Sequence, residues 1–544
     1  MSATAYQDFM AAFSPEQIEA ELQGNRANGF NVCAECVDRW VDGGKVALRH
    51  QATDGSVTEL TFAELKTRSA QFANYLASQG IGQGDRVAAL LPRTPELLVV
   101  IMGTLRAGAV YQPLFTAFGS GAIEYRTEKA GTKLLVTDEA NRHKLDEVKD
   151  CPPVIMVSAA PSTGEPSFID AVYSQSDDFE PVVVAADQPF LQMFTSGTVG
   201  KSKGVHVPTK ALLAFHVYMK YAIGLQDDDI YWNVADPGWA YGLYYAVVGP
   251  LLLGCTTHFN EAGFTAQNTF DFLRQHKITN LAAAPTAYRM LMANDHLLGD
   301  QPEPFSLRVG SSAGEPLNPE VINWIDRRLA CPVMDHYGQT ETGMTACNHH
   351  ALQHKVRIGS MGYAMPGYRV VALDGNFQEV GEGETGQLAV DMDNSPLFFF
   401  QGYTWNEKQP YSGKYYLTGD VVEAHGDGAF TFAGRDDDII TSAGYRIGPA
   451  DVESTLIEHA CVAESGVVAK PDAERGSIVK AFVVLKQGYD ASDELADELK
   501  QFVRKRLSTH AFPREIDFVE ELPKTPSGKI QRFLLRQQAE AEVA

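Results

Sequence analysis

The segment QMFTSGTVGKSKGVHV concentrates small, hydroxylated and cationic residues directly after a short apolar run. Such a composition suits a loop wrapped around polyphosphate. Gly197, Gly200 and Gly204 let backbone N–H groups approach phosphate oxygens, and Thr195, Ser196 and Thr198 add hydroxyl donors beside Lys201 and Lys203. A Walker A loop would place glycine at 195, where Thr195 stands, so the segment is not that motif. On composition alone it reads equally as a surface turn. Cys33 and Cys36 form a C-x-x-C, but the apolar spacing of FNVCAECVDRWV reads as a helix face and no second C-x-x-C completes a zinc site.

Four further motifs follow in order: HYGQTETG at 336–343, YLTGD at 416–420, GRDDDIITSAGYRIGPADVE at 434–453 and PKTPSGKIQR at 523–532. With them the chain resembles the adenylate-forming superfamily of acyl-CoA synthetases, amino-acid adenylation domains and firefly luciferase over nearly its full length. The last two motifs look most like those of acetyl-CoA and medium-chain acyl-CoA synthetases. The resemblance implies an acid–thiol ligase that uses ATP, Mg²⁺ and coenzyme A. A carboxylate resists thiol attack because its leaving group would be oxide, and adenylation supplies AMP instead. Carboxylate and triphosphate are both anions, so cationic groups and metal must bring them together.

Carried over residue by residue, the resemblance makes Thr195–Lys203 the holder of the β- and γ-phosphates. Val199 departs from the Thr or Ser common there, which removes one hydroxyl. Glu341 would bind Mg²⁺ and Thr340 would approach the α-phosphate. His336, Tyr337, Gly338 and Gln339 belong to the same nucleotide motif. Gly314, Glu315 and Pro316 would lie along the adenine, Asp420 and Arg435 would clasp the ribose, and Arg446 would stand near phosphate in one of two states. Lys529 would bridge the carboxylate and α-phosphate in the first half-reaction only. The small domain of the superfamily rotates between half-reactions, and the hinge here would be Asp437. After rotation Ala443, Gly444 and Tyr445 would line the pantetheine channel. Arg475, Arg504 and Arg514 are candidates for the CoA phosphates. Related bacterial enzymes are inactivated by acylation of the matching lysine, which makes a lysine acylase and deacylase acting at Lys529 expected partners. No family metal site matches Cys347, His349, His350 and His354, which we read as structural.

Acetate-specific relatives carry Trp where this chain has Gly338, and losing an indole is expected to open the acyl pocket. Each added methylene then contributes about 0.8 kcal/mol. Trp239, Ala240 and Tyr241 resemble the opposite wall, with Tyr241 refilling part of the space. The expected substrate is a short-to-medium aliphatic acid. The alternatives are an aryl acid, a stand-alone adenylation enzyme that loads a carrier protein, and a nucleotide sensor without catalysis.

These residues need a scaffold. Strand candidates RVAALL, AVYQPL, KLLVTDE, PVIMVSA, IYWNVAD, TNLAAAP and LRVGSSA alternate with helical stretches, which predicts layered α/β sheets. RVVALDG, GQLAVDM and AFTFAGR predict a small β-rich subdomain from Val370. GPADVESTLIEHA and ELADELKQFVRKRL predict helices around the strands GVVAK and VKAFVVLK, a small α+β unit. We expect an AMP-binding domain over 1–436 and a mobile lid over 437–544. At 544 residues more than one core is needed.

Asp+Glu number 69 against Lys+Arg 45, a net charge of -24, which disfavours a nucleic-acid or anionic-lipid partner. The amino-terminal stretch carries Asp8, Glu16 and Glu19 without a long apolar run, and no segment reads as membrane-spanning. Seven scattered cysteines argue against a disulfide framework. A cytoplasmic enzyme is expected.

Overall fold

The computed structural model describes residues 4–195, 202–300, 303–405, 409–442, 445–472, 475–508, 510–525 and 529–543, without the Arg446 side chain. Two six-stranded sheets carry the large domain. The first runs in the order 154–156, 132–137, 86–90, 110–113, 189–195 and 203–208. Its first five strands are parallel, and the last pair is an antiparallel hairpin whose register sets Thr195 opposite Lys203. The parallel strands are near-continuous apolar runs because helices cover both faces. One is Phe62–Ser78, started by a capping box between Thr61 and Glu64. Pro95–Arg106 packs beside it with ten buried residues.

The second sheet orders strands 231–233, 280–283, 309–313, 333–339, 343–347 and 363–364, parallel as far as 333–339 and antiparallel beyond. A three-stranded sheet of 46–51, 57–61 and 257–260 flanks these layers. From Val370 the chain forms a five-stranded antiparallel sheet that ends with Phe430–Arg435, as the punctuated short runs predict.

The carboxy-terminal unit has its own core. Strands Val462–Asp472, Gly476–Leu485 and Glu515–Phe518 form one sheet. Alternation assigns its two faces: Val467, Val479, Ala481 and Val483 join Val452, Leu456, Leu499 and Val503 of helices Pro449–Ile457 and Asp493–Arg506. Val468 and Phe482 point the other way, onto Leu535 and Ala539 of the last helix, Arg532–Ala541.

Candidate active site

The hairpin of strands 189–195 and 203–208 brings the two ends of the glycine-rich loop together. Ser196, Gly197, Thr198, Gly200 and Lys201 lie outside the described residues. The base of the loop is strapped from outside: Val205 bridges Tyr403, and Thr404 N–H donates to the Gly204 carbonyl at 3.0 Å. Trp405 stacks on Phe194 at 5.3 Å, and a Cβ at Gly204 would fall 1.8 Å from its ring. Lys203 Nζ sits 4.5 Å from the Tyr403 ring centroid.

The motif HYGQTETG forms the turn between strands Val333–Gln339 and Gly343–Cys347. Its polar side chains meet those of the YLTGD strand. Tyr337 Oη donates to Asp420, and Gln339 Nε2 donates to Asp420 Oδ2 and to the Thr418 carbonyl, each at 2.9 Å. Tyr416 Oη donates to Gln339 Oε1 at 2.6 Å. Asp420 lies directly opposite Arg435 in strand register. Burial pushes the Asp420 carboxyl up, and Arg435, Tyr337, Gln339 and Lys529 pull it back toward the anion. A buried carboxylate and a guanidinium on adjacent strands suit the two hydroxyls of a ribose.

Glu341 is 7% exposed, and Tyr403 Oη donates to its Oε1 at 2.8 Å. Burial raises this carboxyl, against the opposing pull of Tyr403 and Lys203. A buried carboxylate at the base of the glycine-rich loop fits Mg²⁺, which takes one or two carboxylates and completes its shell with phosphate and water. Tyr244 Oη donates to the Thr340 carbonyl at 3.0 Å and fixes the turn. His336 turns its ring away, 2.8 Å from the Tyr218 hydroxyl, and burial keeps it neutral.

Lys529 reaches this cluster from the small domain. Gly314 adopts φ +105°, and a Cβ there would lie 4.0 Å from Lys529 Cε. Lys529 is tied to Thr525, whose N–H donates to the lysine carbonyl at 2.8 Å while the lysine N–H donates to Thr525 Oγ1 at 3.1 Å. Pro316 follows in the same loop, whereas the Glu315 carboxylate is committed to Thr286 Oγ1 at 2.9 Å and Arg289 Nη2 at 2.5 Å. Asn318 Nδ2 donates to Ser454 Oγ at 2.8 Å across the domains.

At the expected hinge, Arg435 Nε is 3.3 Å from Asp437 Oδ1, and Arg536 donates to the Asp437 carbonyl at 3.0 Å and to Asp438. Tyr445 stays away from the nucleotide cluster, 52% exposed and stacked on His510 at 4.2 Å. Ala443, Gly444 and the Arg446 side chain lie outside the described residues. Arg475, Arg504 and Arg514 converge near Phe512, with Arg514 4.1 Å and Arg504 5.5 Å from its ring centroid. Burial and then the charges of Arg475 and Arg504 lower the Arg514 guanidinium. Among the described residues none of the three guanidinium groups is in an ion pair with a carboxylate, while the Arg475 N–H donates to Asp472 Oδ1 at 2.8 Å.

The residues expected to line the acyl pocket are closely packed among aromatic side chains. Trp239 packs between Phe115 and Phe118, each at 5.5 Å, and Ala240 opens the turn Ala240–Gly242. The Tyr241 hydroxyl lies 3.4 Å from that of Tyr218. At Gly338 the strand register shifts, and a Cβ would sit 2.3 Å from the Gly343 carbonyl oxygen and 2.7 Å from Met344 Sδ. Gly338 therefore has no room for a side chain at this register shift, and Met344 lies directly beside it.

Cys33 and Cys36 sit buried in helix Val32–Cys36. His350 bonds the Gly310 carbonyl at 2.8 Å, His354 Nε2 accepts from His349 N–H at 2.8 Å, and Tyr6 stacks on His349. Tyr403, which holds Glu341, lies in no motif, its only signal being the aromatic density of LFFFQGYTW, and Tyr416, which holds Gln339, opens the YLTGD motif without having been given a role. No described helix is long and apolar enough to cross a membrane.

The family model "AMP-binding enzyme" matches residues 38–403, and "AMP-binding enzyme C-terminal domain" matches 451–529. The chain is 34% identical over 521 residues to an acetyl-coenzyme A synthetase of Bacillus subtilis, covering 93% of this chain and 90% of that one. It is 35% identical over 539 residues to the mitochondrial acyl-coenzyme A synthetase ACSM4 of Homo sapiens, covering 94% and 92%. A crystal structure of a Brucella canis acyl-CoA synthetase superposes with TM-score 0.80 at 53% identity, covering 99% of this chain and 100% of that one. The protein belongs to the AMP-binding enzyme family, with both the large domain and the carboxy-terminal domain of that family present in one chain.

Proposed function

We propose that the protein joins a short-to-medium-chain carboxylic acid to CoA, converting ATP to AMP and pyrophosphate through an acyl-adenylate. The observation that carries this reading is Lys529. Its side chain approaches Gly314 and lends positive charge to Asp420, although its domain has a core of its own. An ammonium at that point neutralises the substrate carboxylate and the α-phosphate as one attacks the other. The acid's oxygen forms the new bond to the α-phosphorus, the bond to the bridging oxygen breaks, and pyrophosphate leaves with that electron pair. Asp420 and Arg435 hold the ribose while Thr195, Lys203 and the loop between them hold the departing phosphates. Glu341 would hold Mg²⁺, whose charge offsets that of the triphosphate.

The thiol step needs other surroundings. The CoA sulfur attacks the acyl carbon and AMP leaves, so the lysine must withdraw and a channel must open. Exposed Tyr445 and the arginines 475, 504 and 514 are the groups we assign to that second state, with rotation about Asp437. Acylation of Lys529 would cancel its charge and stop the first step alone. We read the enzyme as cytoplasmic, where ATP and CoA are supplied together.

The test is pyrophosphate release with ATP, Mg²⁺ and CoA across acetate, propionate, butyrate, isobutyrate, hexanoate, octanoate and benzoate. Activity that peaks between propionate and octanoate and needs CoA for repeated turnover supports the reading. Turnover with no acid refutes it, and a benzoate maximum replaces the aliphatic substrate with an aryl one.

A further inference from the structure

Helix Ser120–Ala130 lies beside the phosphate hairpin and carries a cation that no motif marks. Arg126 is 9% exposed. Its Nη1 donates to the Ala122 carbonyl at 3.0 Å and its Nη2 to Ser202 Oγ at 3.1 Å. The guanidinium lies 4.2 Å from the Phe118 ring centroid and 5.5 Å from that of Phe194. Among the described residues no carboxylate pairs with it. Burial draws its pKa down to about 10, so it stays charged at neutral pH.

A buried, unpaired charge is expensive and persists where an opposite charge arrives with a ligand. Here the contact is Ser202, the residue before Lys203. Tyr125, next on the helix, donates from its hydroxyl to the Ser202 carbonyl at 2.9 Å. One helix thus grips the carbonyl and the hydroxyl of Ser202, while Trp405 stacks on Phe194.

We propose that Arg126 is a positioning residue of the phosphate loop, fixing Ser202 and supplying the loop with a buried positive charge whose counter-ion is the β- and γ-phosphates of the nucleotide. The inference rests on the reading of 195–203 as a phosphate loop, and not on the identity of the acid. It assigns the helix a part in nucleotide discrimination, since AMP lacks the groups that balance Arg126.

Calorimetric binding of ATP and of AMP to the full chain tests it without any acid or CoA. In Arg126→Gln, ATP affinity should fall about tenfold or more, the scale of one charge-assisted contact, with AMP affinity unchanged. Arg126→Lys should recover part of the loss. Ser202→Ala should lower ATP affinity in the wild-type background and add little in Arg126→Gln. Equal losses for ATP and AMP, or no loss in any variant, would overturn the proposal. Where Arg126→Gln does not fold, Arg126→Lys and Ser202→Ala decide by the same ATP-against-AMP comparison. A wild-type chain that discriminates ATP through Arg126 yet ligates no acid would refute the ligase reading alone.

Discussion

Burial raises the Glu341 carboxyl, and the Tyr403 hydroxyl at 2.8 Å pulls it back toward the anion. Removing that donor in Tyr403→Phe raises the Glu341 pKa further, so the protonated form persists to higher pH. If the carboxylate is the working form, the acid limb of kcat/KM against pH moves upward, with little change on the alkaline side. An unmoved acid limb would mean that Glu341 does not need its charge. Met344 offers a second test at this scale, because it occupies the space beside Gly338. Met344→Ala should shift the preferred acid toward longer chains, by roughly fourfold in kcat/KM for each accommodated methylene. An unchanged chain-length profile would put the acyl group elsewhere. Neither residue stood out in the sequence: Tyr403 is 62 positions from Glu341, and Gly338 read as an absent side chain when it is a backbone requirement.

Elements were legible where local pattern and tertiary role agree. The runs around 86–90, 132–137 and 309–313 became parallel strands, and the helices at 449–457 and 493–506 formed where periodicity placed them. The three-stranded sheet of 46–51, 57–61 and 257–260 went unread, because Thr257 pairs with Leu48 across a separation that no local pattern encodes. The last helix is likewise defined by what it grips. Arg532 donates to Glu453 at 3.1 and 2.6 Å, and Glu453 also receives Val467 N–H at 2.9 Å. Arg532→Ala leaves that buried carboxylate short of its counter-ion and should destabilise the carboxy-terminal domain by about 3 kcal/mol. Urea unfolding followed by a probe in that domain measures the loss; an unchanged midpoint would show that the helix docks through Leu535 and Ala539 alone.

At the scale of the molecule, one chain must serve two reactions at one adenylate. Lys529 lies against Gly314 while Tyr445 faces solvent beside His510, so the arrangement favours the first reaction. The two residues should therefore separate the steps. Lys529→Gln should cut acid-dependent ATP–pyrophosphate exchange by about a hundredfold or more while sparing thioester formation from supplied acyl-adenylate, and Tyr445→Ala should do the reverse. Loss of both steps in both variants would contradict a division of labour between two domain positions. The motifs made this division readable in the sequence, but which residues assemble together is decided only in the folded chain, because Lys529 and Gly314 lie far apart in sequence and meet through tertiary packing.

The central claim is attack of a carboxylate oxygen on the α-phosphorus of ATP, and the fate of that oxygen tests it most directly. With an acid labelled by ¹⁸O in both carboxylate oxygens, mass spectrometry of the nucleotide after one round with CoA should find AMP carrying a single ¹⁸O and unlabelled pyrophosphate. Unlabelled AMP, or ADP and phosphate as products, would contradict the acyl-adenylate.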